Sequence, residues 1–232
     1  MSCSIERTFN FAVYLPMIYI KTFVFNPFSE NTYIVYDDTL TAVIVDPGCY
    51  EKEEKDELDN FIKSKNLTIK YLLNTHTHID HVLGNYHVKE KYKVQFLMHQ
   101  KDESVLKAVK AYAPNYGFTN YTEALPDQFL EEGDEVVFGN SKFSVLFLPG
   151  HAPGHIGFYN EQEKILLGGD VLFRGSVGRT DLPGGNHETL INSIQQKLFV
   201  LPDDVVVYPG HGSTTTLGVE KVSNPYCALS LR

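Results

Sequence analysis

Thiols are scarce in this chain. Its 232 residues include three cysteines, Cys3, Cys49 and Cys227, with no two close together and no CxxC pair. An odd, scattered set excludes a disulfide framework and suits a reducing, cytoplasmic compartment. Cys49, in DPGCY, reads as a small semi-buried residue rather than a reactive thiol. Long apolar runs are missing too: none approaches the ~18 residues of a membrane span. Positive charge is in deficit, with a formal net charge of −9. Such a chain has no overall basic field for phosphate backbones, so neither nucleic acid nor a membrane is an expected partner. No internal repeat, low-complexity tract or linker divides the sequence.

What remains is an ordinary globular composition, 43% hydrophobic and 21% charged, long enough for a sizeable core. Residues 1–16 read as an N-terminal extension that is disordered or not native. Residues 17–232 read as a single domain, with Met17 opening a good strand pattern. MIYIKTFVF, NTYIVYD and TAVIVDPG are rich in β-branched and aromatic residues and predict three strands. Leu58, Phe61 and Ile62 fall at helical spacing among charges and predict an amphipathic helix. IKYLLNTH predicts a buried strand, ESVLKAVKAY a helix, and EVVFGNSKFSVLFLPGH a hairpin turning near Gly139-Asn140. Residues 113–128 are turn-rich and aromatic and suggest a loop over a site.

One feature recurs. Strands run out into DPG (46–48), NTHTH (74–78), PGH (149–151), GGD (168–170) and PGH (209–211), so each exit delivers a His or an Asp. Polar groups gathered at strand ends are how many sheet-based enzymes assemble a site. The densest exit is NTHTHIDH. If the strand continues through it, His76 and His78 point to one side and reach one cation. Asp80 and His81 follow a change of direction and would hold a second. A catalytic divalent metal has about three protein ligands and an open position. His151 completes the first set and His211 the second, and Asp170 has two oxygens to share between them. Two-metal hydrolytic sites hold their ions about 3.5–4 Å apart. Without cations, five imidazoles and two carboxylates in one pocket would be poorly satisfied. His155 and Asp46 are candidates for orienting ligands from behind, although His155 reads equally well as a strand-start residue. His87 and His99 read as ordinary core or surface histidines, and His187 as a helix-start residue near the rim.

THTHIDH, PGHAPGH, GGD and PGHG, in this order, resemble the metallo-β-lactamase superfamily from Met17 to Tyr226. The resemblance implies an α+β fold, an αββα sandwich of two mixed sheets face to face with helices outside and the metals at one edge. VLFRGSVGRTDLPGGNHETLINSI (171–194) and GVEKVSNPY (218–226) are similar to the small glyoxalase II-like hydrolases. Departures narrow the choice. Zinc β-lactamases lack a bridging aspartate, so Asp170 argues against one. The few residues after His211 leave no room for the C-terminal helical domain with which full glyoxalase II binds glutathione.

The resemblance implies a metal-dependent hydrolase acting on a small anionic thioester of the S-acyl-glutathione type. A hydroxide shared by two divalent ions would attack the carbonyl, with Asp80 and Asp170 as the catalytic carboxylates. Zinc is the first expectation and iron or manganese the alternatives. Arg179, Arg174 and Lys142 are the candidate anion contacts, Arg179 in GRTD the best of them. A lactone is the next substrate. An oxidative alternative is a persulfide dioxygenase-like protein, whose single iron His76, His151 and Asp170 would hold. The aromatic loop and the N-terminal stretch offer surfaces for a homodimer.

Overall fold

The computed structural model describes residues 17–229, so the reading of residues 1–16 as an extension lies outside the described residues. Sheet one contains β1 (Ile18–Phe25), β2 (Glu30–Asp37), β3 (Thr41–Val45), β4 (Thr68–Leu73), β5 (Gln95–Met98) and β6 (Gln128–Phe129), hydrogen-bonded in that order. The second half of the chain adds β7 (Glu135–Phe138), β8 (Ser141–Phe147), β9 (Ile156–Asn160) and β10 (Ile165–Gly169). After these come a small hairpin, β11 (Leu172–Phe173) with β12 (Ser176–Val177), then β13 (Val206–Pro209) and β14 (Thr215–Thr216). Sheet two runs β14-β13-β10-β9-β8-β7. Both sheets are mixed: β3, β4, β5 and β6 are parallel neighbours, as are β10 and β13, and the other pairs are antiparallel.

Helices α1 (Lys52–Ser64), α2 (Ile79–Val82), α3 (Asn85–Tyr92) and α4 (Glu103–Tyr112) follow strands of sheet one. Helices α5 (His187–Ser193) and α6 (Leu217–Ser223) belong to sheet two. The alternation of strand side chains explains the layers. In β3, Ala42 and Ile44 join an outer core with Leu58 and Ile62 of α1 and Leu106 and Val109 of α4. Val43 and Val45, on the other face, meet Phe143, Val145 and Phe158 of sheet two in a core between the sheets. In β10, Ile165 and Leu167 face that middle core, while Leu166 joins Leu190, Ile194 and Leu217 outside. Strands apolar on both faces are therefore buried on both faces, and the result is the expected αββα sandwich. No helix among the described residues is long and apolar enough to cross a membrane.

Strand direction then gathers the exits. β3 and β4 are parallel and open on the same edge of sheet one. In sheet two, β8 is two antiparallel steps from β10 and so runs with it, and β13 is parallel to β10. Antiparallel β2 brings its first residues to the same edge. There Asn31 N donates to Gly210 O at 2.7 Å, and Asn31 Nδ2 donates to Pro209 O and Gly212 O at 2.9 and 2.8 Å. These bonds pin the PGHG segment of sheet two to sheet one.

Candidate metal centre

β4 stops at Leu73, so His76 and His78 do not lie on a continuing strand. They converge by a different route. Residues 74–78 leave the sheet as irregular chain, and His78 is the residue preceding the single turn of α2 that carries Asp80 and His81. The two imidazoles therefore present different nitrogens. His78 Nδ1 lies 2.9 Å from His151 Nε2, which lies 3.2 Å from His76 Nε2. Potential ligand atoms of His76, His78 and His151 all fall within 4.8 Å of one another, and so do those of Asp80, His81 and His211.

Asp170 stands between the two sets. Its Oδ1 faces His81 Nε2 at 3.5 Å, and its Oδ2 lies 3.6 Å from His151 Nε2 and 3.5 Å from His211 Nε2. Asp80 Oδ2 is 3.1 Å from His211 Nε2 and 3.7 Å from His81 Nε2. Gly210, just before His211, leaves the room this requires: a Cβ there would sit 2.1 Å from Asp170 Oδ1.

The far sides of the rings fix their tautomers. His151 Nδ1 donates to Arg179 O at 2.8 Å and His211 Nδ1 to Phe28 O at 3.1 Å. His81 Nδ1 pairs with Asp46 Oδ2 at 3.2 Å. Thr75 Oγ1 donates to Asp46 Oδ2 at 2.6 Å, which leaves it to accept from His76 Nδ1 at 3.1 Å. All four rings thus turn Nε2 inward, against carboxylates and against each other, with a lone pair there wherever the ring is neutral. His81 Nε2 and Asp170 Oδ1 are buried and have no hydrogen-bond partner among the described residues. Converging lone pairs and orphaned buried acceptors are a donor set for cations, so the residues present fit divalent metal.

The electrostatics of the metal-free protein agree. Burial, followed by the neighbouring His81 and His151, holds His76 well below the usual histidine range. Burial, followed by His151, takes His78 down to about 3. Burial would raise Asp170, but His81, His151 and His211 overrule it and hold the carboxyl well below its usual value. His81 goes the other way: burial lowers it, yet Asp80 and Asp170 together raise it well above the usual value. The carboxylates thus draw positive charge onto His81, the kind of charge that divalent ions bound here would supply.

The candidates for orienting groups are also in reach. Asp46 accepts from Asn74 Nδ2 and Thr75 N at 3.0 and 2.7 Å as well as pairing with His81. His155 is fully buried and stacks on His76 with centroids 4.9 Å apart, and its Nε2 accepts from Asp170 N at 3.0 Å. It therefore braces a ligand segment and is more than the first residue of a strand.

The anion contacts need correction. Lys142 lies on β8, ion-paired with Glu135 of β7, and does not line the cleft above the ligands. The β7–β8 hairpin is the edge of sheet two, and its register carries Lys142 away from the strand exits. Arg174 is exposed in the tight turn between β11 and β12 and does not line the cleft either. Arg179 does line it, but its Nε and Nη2 donate to Asp181 at 2.8 and 2.7 Å. Its carbonyl, rather than its guanidinium, is what touches a ligand. His87 pairs with Asp59, His99 stacks on Phe147, and His187 begins α5, and none of the three lines the cleft.

Two buried acids escaped the sequence reading. Asp102 Oδ2 accepts from Thr77 N at 2.7 Å and Thr77 Oγ1 at 3.1 Å, and its Oδ1 accepts from Gly154 N at 2.7 Å. It ties the segment between His76 and His78 to the segment between His151 and His155. Glu30 is fully buried with Oε1 3.9 Å from His81 Nδ1, and burial raises its carboxyl well above the usual value. HQKDES and FSENTY, where they sit, carry no motif; only strand pairing and loop packing bring them here.

Over the ligands opens a cleft of about 970 Å³. The 113–128 loop contributes Asn115 and Tyr116 to it, beside Tyr112 of α4 and Phe28 from the β1–β2 turn.

Comparison with known proteins agrees with the fold. The chain is 41% identical over 201 residues to hydroxyacylglutathione hydrolase GloC of Haemophilus influenzae, spanning 86% of this chain and 93% of that protein. The crystal structure of BLEG-1 B3 metallo-beta-lactamase superposes with a TM-score of 0.82 at 36% identity, covering 91% of this chain and 99% of that one. The structure of TTHA1623 in a di-iron-bound form gives a TM-score of 0.79 at 36% identity, covering 89% and 99%. Residues 25–211 match the family model of the metallo-beta-lactamase superfamily, and the chain belongs to that superfamily.

Proposed function

We propose that this protein is a metal-dependent hydrolase of small thioesters, with two cations held by His76, His78 and His151 and by Asp80, His81 and His211, and with Asp170 common to both. The observation that carries the reading is the place of Asp170, whose two oxygens stand 3.5–3.6 Å from ligand nitrogens of both sets. Similarity to GloC, a hydroxyacylglutathione hydrolase by name, supports the thioester. Zinc suits the imidazole and carboxylate donors, and iron is the alternative that the di-iron form of TTHA1623 supports.

Divalent cations bound there would supply Lewis acidity to a water and to the substrate carbonyl. The chain supplies the rest. His151 and His211 are held by backbone carbonyls and His81 by Asp46, so the donor set is rigid before substrate arrives. Water adds its oxygen to the carbonyl carbon, the C–S bond breaks, and the products are a carboxylate, a thiol and one proton released to solvent. Asp80 lines the cleft, and although burial opposes it, His81 and His211 hold its carboxylate ionised. It would carry the proton of the water to sulfur, as a weak acid and for a light task, because thiolate leaves readily.

The test is turnover by protein reconstituted with zinc, iron or manganese, assayed against a thioester, a lactone, a β-lactam and a persulfide. Thioester hydrolysis with two metals per chain, abolished together with the second metal in Asp170→Asn, is expected. Sulfite production from glutathione persulfide with one iron per chain would replace this reading with the oxidative one.

A further inference from the structure

Most of the charge of the cleft lies on its floor. Above Asp80, Asp170 and the histidines, the single cation among the described lining residues is Arg179, already matched by Asp181. Both side chains of that pair are largely exposed, 60% and 67%, which puts the pair at the mouth. Apart from the tyrosines, the polar side chains of the walls are Ser104, Asn115 and Ser176, all neutral.

The remaining walls are apolar. On one side Phe28, Tyr116 and Tyr112 form a ledge, with Phe28–Tyr116 centroids 5.8 Å apart and Tyr112–Tyr116 centroids 6.0 Å apart. Phe28 and Tyr116 are 39% and 57% exposed. Phe173, Val177 and Leu182 line the cleft as well. A carboxylate lodged between such walls would lose hydration without gaining a partner. Glutathione carries two carboxylates and an ammonium, and the walls offer one guanidinium. Aromatic rings open to water above a reaction centre instead gain by covering, and by edge and face contacts with another ring.

We infer that the cleft selects thioesters whose acyl group is aromatic and uncharged, seated on the Phe28–Tyr112–Tyr116 ledge, and whose thiol half is uncharged, because Arg179 at the mouth is already matched by Asp181. This rests on the thioester-hydrolase reading and specifies its substrate class. The bond changes are those of that reaction: C–O forms from water, C–S breaks, and the thiol leaves with the proton.

The experiment compares kcat/KM of the metal-loaded enzyme for S-phenylacetyl- and S-acetyl-N-acetylcysteamine and for S-lactoylglutathione. The phenylacetyl ester is expected to exceed each of the others by about tenfold or more, within the range by which apolar pockets discriminate. Tyr116→Ala is expected to reduce the phenylacetyl-to-acetyl ratio by about tenfold, because it removes one wall of the ledge. A preference for S-lactoylglutathione, or equal losses on both acyl groups in Tyr116→Ala, overturns the inference. Hydrolysis of none of the three overturns the thioester reading itself. Calorimetric binding of phenylacetamide to the metal-loaded protein needs no turnover and separates the two failures: binding that weakens in Tyr116→Ala supports the ledge, and its absence in the parent protein refutes it.

Discussion

His81 Nδ1 lies 3.2 Å from the carboxylate of Asp46, and both side chains are shut off from solvent. Asp46 also accepts from Asn74 and Thr75, so it has no spare oxygen to turn elsewhere. In Asp46→Asn, one acceptor oxygen becomes an NH₂ group facing donors. The expected result is a loss of metal affinity of about 10- to 100-fold at the Asp80–His81–His211 set, the usual cost of removing a partner that orients a ligand. Chelator competition measures it, and affinity equal to that of the parent protein would show that Asp46 does not orient His81.

Asp102 plays the corresponding part behind the other set. Its oxygens hold Thr77 N and Gly154 N at 2.7 Å each, and a Cβ at Gly154 would meet Asp102 Oδ1 at 2.9 Å, so the two loops close on it tightly. Asp102→Asn is expected to lower occupancy at His76, His78 and His151 while the His81 set stays loaded, giving close to one metal per chain. Elemental analysis beside a thermal melt reads this. Equal loss from both sets, with a collapsed melting temperature, would mean that Asp102 merely holds the fold.

The contrast between Asp102 and His78 shows what the sequence carries. His76, His78, Asp80 and His81 are legible because ligands for adjacent cations must be crowded and chemically distinctive, and HxHxDH is both. The strand exits are legible because β-branched runs end abruptly at Pro and Gly. The route was less so: a strand through His76 and His78 was expected, and a loop leading into α2 does the work with two different ring nitrogens. Asp102 and Glu30 are ordinary acids in ordinary context, and their roles exist only after sheet pairing buries them. Lys142 shows the reverse error. A cation in a plausible segment is set by register: Lys142 stands opposite Val137 and pairs with Glu135, two residues along the same strand.

Acid should destabilise the metal-free protein. Burial, reinforced by neighbouring histidines, depresses His76, His155 and His78, the last to about 3; burial also lowers His151. A base whose folded value is depressed contributes its full stability above its unfolded value, near 6.5, and loses it as the pH falls toward the folded value. Between about pH 6.5 and 5 the unfolded chain therefore takes up protons that the folded one refuses, at about 1.4 kcal/mol per pH unit for each such proton. His81 and His211, raised despite burial by Asp80 and Asp170, act at the other end: their contribution is full below 6.5 and fades as the pH rises through their folded values. Asp102, pushed up to about 6 by burial, and Glu30, raised well above its usual value by burial, oppose the acid loss with one proton each. Thermal melts in chelator from pH 8 to 5 should fall steeply below about 6.5; a flat or rising melting temperature on acidification would contradict these directions.

Gly210 is where space, rather than backbone conformation, demands glycine. A Cβ there would stand 2.1 Å from Asp170 Oδ1 and 2.7 Å from His81 Cε1, one from each side of the shared centre. The backbone cannot retreat, because Asn31 holds both Pro209 O and Gly212 O, and Gly210 N donates to Gly169 O at 2.9 Å. In Gly210→Ala the Asp170 carboxylate must rotate away, and with it goes the contact common to both ligand sets. The expected outcome is about 1–3 kcal/mol of destabilisation from overpacking, together with a fall from two metals per chain to one or fewer. Removing the side chain that collides provides the control. Gly210→Ala in an Asp170→Gly background should recover part of the lost stability without recovering the metal, because the nearer clash is relieved, the one with His81 Cε1 stays, and the bridge is absent. Recovery of both would mean that Asp170 is not the group that joins the sites, and recovery of neither would place the strain at His81 or in the Asn31 clamp.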